Sequence, residues 1–204
     1  RSNEKGLYLS LAESEQELRD GARSHGWEIP ELVEILELVA PADVLDPTQH
    51  QSLLYSSDLE LGETVKRVLE AIERVRPQRV VIDSLSEIRL LAQSSLRYRR
   101  QILALKHYFA QNGSTVIMLD DLTAESVDRA VHSIAHSVTH LNQLAPKYGA
   151  ERRTLTVVKC RGQSFRGGLH DFTISPGGVV LFPRLVAAEH RKGLARSTVK
   201  SGIG

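Results

Sequence analysis

Asp83 and Ser84 directly follow Val80, Val81 and Ile82. That apolar run has the character of a short strand in the middle of a parallel sheet covered by helices on both faces. Ligands of such sheets sit just beyond the carboxyl ends of the strands. An acid followed there by the hydroxyls of Ser84 and Ser86 offers the hard oxygens that a magnesium ion with its phosphates requires. Asp and Ser are also good helix caps, so residues 79–87 taken alone fit a capped strand equally well. Two further strand candidates end in charge. Glu13 follows Leu7-Tyr8-Leu9-Ser10-Leu11 and could simply favour the first turn of the next helix through its dipole. Lys159 and Arg161 are one residue apart at a strand end, so both side chains leave one face, which by itself fits a solvated basic tip.

The elements that must position these residues follow from spacing and punctuation. Ser14 with Glu17 has capping-box spacing and starts a helix that turns Leu18 and Ala22 inward and stops near Gly26. Residues 30–38 read as a short helix or a passage from helix to strand, and residues 41–58, polar and holding two prolines, as a long surface connection. Leu61, Val65, Val68, Leu69, Ile72 and Val75 keep helical spacing up to Pro77. The Arg-rich residues 92–101 form a solvated helix start that continues through Ile102, Leu105 and Phe109 to Asn112-Gly113. Residues 115–119 form another buried strand, closed by Asp120-Asp121. Strands alternating with helices predict right-handed crossovers and a parallel sheet. After residue 136 the pattern alternates, and Ser175-Pro176-Gly177-Gly178 separates two apolar runs as a hairpin turn does, so antiparallel strands are expected to extend the sheet. From residue 187 the chain is basic and reads as a linker.

Length and charge narrow the classes. The 204 residues suffice for one core. A net charge of +1 gives no global pull toward nucleic acid or an acidic membrane. Cys160 is the single cysteine, which excludes an intrachain disulfide and a Cys-rich metal centre and makes a reducing cytoplasm the default. No apolar run approaches the roughly 20 residues that cross a bilayer, and no signal peptide is visible. The chain begins at Arg1, without Met, and passes straight into a strand, so a fragment is expected. His132, His136 and His140 have the spacing of ligands on one helix, but the run should pass from helix to strand, which breaks the face. Arg97, Arg99 and Arg100 lack the interleaved aromatics of a nucleic-acid surface, apart from Tyr98.

Several of these signals stand in a telling order. Tyr8-Leu9-Ser10-Leu11-Ala12-Glu13-Ser14 comes first, then Gly26-Trp27, Val81-Ile82-Asp83-Ser84-Leu85-Ser86, Lys159-Cys160-Arg161-Gly162, Phe172-Thr173-Ile174 and Gly178-Val179. The set resembles a RecA-superfamily ATPase domain of the KaiC type over nearly the whole chain. The resemblance implies an α/β three-layer sandwich whose mostly parallel central sheet is extended by antiparallel strands. Residues 1–186 would form most of that domain, and residues 187–204 a basic linker toward a second, tandem ATPase domain. No GxxxxGK[ST] phosphate loop occurs in the sequence; in the family it precedes the position of Leu7, with its strand and helix. The loop supplies much of the triphosphate affinity, so these residues alone are expected to bind ATP poorly and to turn none over.

By the same resemblance, Asp83 with Ser84 takes the Walker B position and holds magnesium with ATP. Glu13 takes the place of the carboxylate that polarises the attacking water. The family pattern often has two adjacent glutamates there, and Ala12 occupies the first position. Lys159 and Arg161 resemble a pair that reaches across a subunit interface to the neighbour's terminal phosphate, which implies a ring, expected to be a hexamer, with regulatory protein partners possible. Serine/threonine autokinase activity would belong to the second domain. Two rival readings have their own tests: a DNA-dependent repair ATPase of the RecA group would show salt-dependent binding to single strands, and a non-enzymatic assembly module would oligomerise without nucleotide.

Overall fold

The computed structural model describes residues 3–38, 53–121 and 129–190. The chain divides into two compact units, the first running to Ala135 and including Ser175–Gly178, the second made of the rest from His136 onward.

The first unit is built on a parallel sheet in the order β2-β1-β3-β4. Its strands are β1 (Gly6–Ser10), β2 (Val33–Glu37), β3 (Arg79–Asp83) and β4 (Thr115–Met118). The alternating helices are α1 (Glu15–Ser24), α2 (Leu53–Val75), α3 (Leu85–Ala92), α4 (Ser95–Gln111) and the short α5 (Arg129–Ile134). Strands β1 and β3 run in register, with Tyr8 beside Val81 and Ser10 beside Asp83. Period-2 alternation sorts their side chains. Leu7, Leu9, Val80 and Ile82 point to one face and are buried against Val68, Ile72, Leu85, Ile102 and Leu105 of the helices. Each such aliphatic side chain stabilises the fold by about 1.5–3 kcal/mol when fully buried. Tyr8, Val81 and Asp83 share the other face and are half-buried.

Local chemistry accounts for the helix ends. Ser14 and Glu17 form the complete capping box expected at the start of α1. That helix stops at Gly26, whose φ of +74° suits a residue without a Cβ. Ser94 caps α4 by accepting from the Arg97 N–H, and Tyr98, Ile102, Leu105 and Phe109 line its buried side.

Some expectations are corrected here. Of the two readings of residues 30–38, residues 33–37 take the strand, β2, with no helix before it, because pairing beside β1 satisfies their backbone. Helix α2 begins at Leu53, two turns before the apolar spacing starts, so it takes over the end of the proposed surface connection; residues 41–52 of that connection lie outside the described residues. Helix α3 was not expected: Leu85, Ile88 and Ala92 bury one face of it. Strand β4 is not buried; it pairs on one side only among the described residues, and Ile117 is 56% exposed.

The second unit is an antiparallel sheet in the order β5-β6-β7-β8. Its strands are β5 (Ser137–Leu144), β6 (Arg152–Cys160), β7 (His170–Ser175) and β8 (Gly178–Phe182). The turn joining β7 to β8 falls at the Pro-Gly punctuation, with Gly177 at φ +93°. Among the described residues these strands hydrogen-bond to one another as an antiparallel sheet that follows the parallel one in chain order, the α/β class with added antiparallel strands that the sequence implies. Ala187–His190 is a single 3₁₀ turn at the start of the proposed linker; residues 191–204 lie outside the described residues.

Candidate functional site

Strand β3 delivers Asp83 to the carboxyl end of the parallel sheet, and the neighbouring β1 ends at the same level. The Leu11 N–H donates to the Asp83 carbonyl at 2.7 Å, so pairing persists past the end of β1. Ser10, 1% exposed, then shapes the turn that carries Glu13. Its hydroxyl donates to the Glu13 carbonyl at 2.5 Å and accepts from the Glu13 N–H at 3.1 Å. Glu13 itself is exposed.

The Asp83 carboxylate does not cap α3. Ser84 occupies the N-cap position and its side chain makes no capping bond; its hydroxyl meets that of Ser86 at 2.5 Å instead. Asp83 Oδ2 accepts a 2.5 Å hydrogen bond from the Tyr8 hydroxyl. Burial pushes the Tyr8 phenol well above its usual range, reinforced by the Asp83 carboxylate it bonds and by the charge of Glu13. Tyr8 therefore stays protonated and acts as a donor, and Asp83 and Glu13 act electrostatically on the same phenol.

The oxygens at this edge suit a hard cation. Among the described residues, no group of three or more His, Cys, Asp or Glu side chains is arranged to hold a metal. Magnesium fits this sparse set because it commonly binds through one or two carboxylates together with substrate phosphates. The helix-to-strand break expected in the histidine run is present: His132 lies on α5, His140 on β5, and His136 between them.

The basic pair belongs to the second unit. Lys159 is the next-to-last residue of β6 and is half-buried, and Arg161 follows the strand, exposed. The Ser137 hydroxyl donates to the Lys159 carbonyl at 3.1 Å, and the Arg161 N–H donates to the His136 carbonyl at 2.9 Å, which fixes the backbone on both sides of Cys160. The register shifts between Val138 and Thr139, leaving Val158 as an extra residue in β6 immediately before Lys159. A bulge of this kind bends the strand and re-aims the side chains beyond it.

Two features escaped sequence reasoning. One is the Tyr8–Asp83 bond, which joins residues 75 apart in the chain. The other is Asp120 at the end of β4. It pairs with Arg89 of α3 at 2.7 Å, while the Arg89 guanidinium lies 5.1 Å from the ring centroid of Tyr98. That acid is committed to holding α3 against β4.

A parallel sheet with an acid and hydroxyls at the end of its central strand, followed by antiparallel strands, defines a RecA-like α/β domain. The family model described as the KaiC ATPase matches residues 1–186, and the chain belongs to that family. Among curated proteins it is similar to the circadian clock oscillator protein KaiC of Synechococcus elongatus, 28% identical over 205 residues. Those of Thermostichus vulcanus and Acaryochloris marina are 28% and 27% identical over 209 and 201 residues. These alignments cover 97–98% of this chain and 38% of each relative, so the chain spans well under half the length of the proteins it matches. An ATPase domain of this family implies nucleotide and magnesium binding in general.

Proposed function

We propose that these residues form most of an ATPase domain that hydrolyses ATP with magnesium at the subunit interfaces of a ring, expected to be a hexamer, coupled to signalling or timing. The reading is carried by Asp83, which stands at the end of the central strand with its carboxylate free of any capping task, beside the turn that bears Glu13. Asp83, with Ser84, would hold magnesium; the bound ion would offset charge on the phosphates during transfer. Glu13 orients the attacking water and takes its proton late, where positioning contributes most. Lys159 and Arg161 reach the terminal phosphate held by a neighbouring subunit and offset the charge that develops on it. Residues 1–186 would be the partial domain and residues 187–204 the link to a second one, where any serine/threonine autokinase activity would lie. The phosphate loop would come from elsewhere in the full-length protein, and the 204 residues alone would turn over no ATP. Regulatory proteins are the partners that suit such a ring, in the cytoplasm. No described helix is long and apolar enough to cross a membrane.

The test is steady-state ATP hydrolysis by the full-length protein. A metal ion supplies several kcal/mol of transition-state stabilisation, so Asp83→Asn is expected to lower kcat about a hundredfold or more. Wild-type turnover in Asp83→Asn would overturn the assignment, as would micromolar ATP binding by the 204 residues alone for the missing loop. Salt-sensitive binding to single-stranded DNA would favour a repair ATPase instead.

A further inference from the structure

The Tyr8 hydroxyl is the one protein group that bonds the Asp83 carboxylate among the described residues, at 2.5 Å to Oδ2. We propose that Tyr8 is a positioning residue: it fixes the Asp83 carboxylate through Oδ2 and leaves Oδ1 as the oxygen open to a divalent cation. The inference rests on the reading of Asp83 as a cation ligand and adds a determinant of how well that ligand binds.

The parallel register makes the contact possible. Tyr8 lies beside Val81, and Asp83 is the next residue of β3 on the same face, so the phenol reaches one step along the neighbouring strand. Both strands are anchored through their other face, where Leu7, Leu9, Val80 and Ile82 are each 1% exposed. The donor therefore stands on a rigid support. Without it the carboxylate would turn freely about its last bond and present either oxygen, or both, to a cation. Partners of this kind orient metal-binding carboxylates, and their loss commonly weakens metal affinity 10–100-fold. The Ser84 hydroxyl meets that of Ser86 rather than the Asp83 carboxylate.

Tyr8→Phe removes the hydroxyl and keeps the ring. Mn²⁺ binding to the full-length protein, followed by electron paramagnetic resonance in the presence of a non-hydrolysable ATP analogue, reads the site without turnover. We expect Tyr8→Phe to weaken Mn²⁺ binding about tenfold, with metal-free nucleotide binding unchanged. In an Asp83→Asn background, Tyr8→Phe should change Mn²⁺ binding no further. If Asp83→Asn weakens Mn²⁺ binding while Tyr8→Phe matches wild type, the positioning role is wrong and the reading of Asp83 stands. If Asp83→Asn itself leaves Mn²⁺ binding unchanged, both fail. Tyr8→His supplies a second variant with a ring donor should Tyr8→Phe not fold: binding nearer to wild type than that of Tyr8→Leu supports the proposal, and equal weakening in the two overturns it.

Discussion

The two units of this chain carry opposite charges at the strand ends proposed as functional and support them differently. The acids Asp83 and Glu13 stand at the end of a parallel sheet whose inner residues belong to one continuous apolar cluster reaching from Leu7 to Ile134. The cations Lys159 and Arg161 stand at the end of an antiparallel sheet in which Val138, Thr154, His170 and Phe172 are the buried members. Strand β3 hides Val80 and Ile82, whereas β8 leaves Val179, Val180, Leu181 and Phe182 all about half exposed. The acid half is thus held by packing, and the cationic half by backbone pairing and a bulge. A group that must hold a bound ion in place gains most from the first arrangement. A group that reaches another subunit can rely on the second.

The sharpest test of that division is Arg161→Ala. Arg161 is exposed and its backbone pairing does not depend on its side chain. Cationic groups supplied across an interface contribute about 10³–10⁵ in kcat, so hydrolysis by the full-length protein should fall by about a thousandfold while the unfolding midpoint stays at the wild-type value. A loss of stability with undiminished kcat would make Arg161 a structural residue and end the contrast.

Two identical substitutions probe the packing difference directly. Val80→Ala removes two methyl groups from a site 1% exposed, and Val179→Ala removes them from one 55% exposed. The first is expected to cost about 2–3 kcal/mol, from lost transfer energy and the cavity left behind, and the second about 0.5 kcal/mol or less. Urea unfolding at equilibrium measures both. Equal costs would mean that β8 is covered in the full-length protein, and the antiparallel sheet would then be as well packed as the parallel one.

Much of this difference was legible from residue types. The run Val80-Val81-Ile82 announces an inner strand, and Pro176-Gly177 a hairpin, because each depends on local chemistry. The start of α2 was hidden because Ser56, Ser57 and Asp58 interrupt the apolar residues there and follow a proline-containing polar stretch, although the backbone is helical from Leu53. Helix α3 was missed because the serines after Asp83 read as the close of a site, while Leu85, Ile88 and Ala92 in fact bury a helical face. The exposure of β4 could not be read from Thr115 to Met118, since edge position depends on which strands pair beside it. Asp83 was recognisable by type and place as an acid at the carboxyl end of an inner strand. Its partner Tyr8 was not, because the bond requires the relative register of two strands far apart in sequence.

The smallest effect concerns the rim of the acid half, where capping replaces packing. The Ser14 N–H and hydroxyl both donate to Glu17 Oε2 at 2.8 Å. Chiefly the backbone bond from Ser14, and next its hydroxyl, lower the Glu17 carboxyl below its usual range. A carboxyl depressed in the folded state releases its proton more readily there than in the unfolded chain. Its contribution to stability is therefore complete above the ordinary glutamate value of about 4.3 and fades as the pH falls through the lower folded value. Glu17→Gln keeps a hydrogen-bonding side chain at the same position but cannot titrate. Wild type should exceed Glu17→Gln in urea midpoint near neutral pH, with a gap that narrows as the pH drops through the acid range. A gap that stays constant with pH would mean that the Glu17 charge takes no part in fixing α1, and that its neutral capping hydrogen bonds suffice.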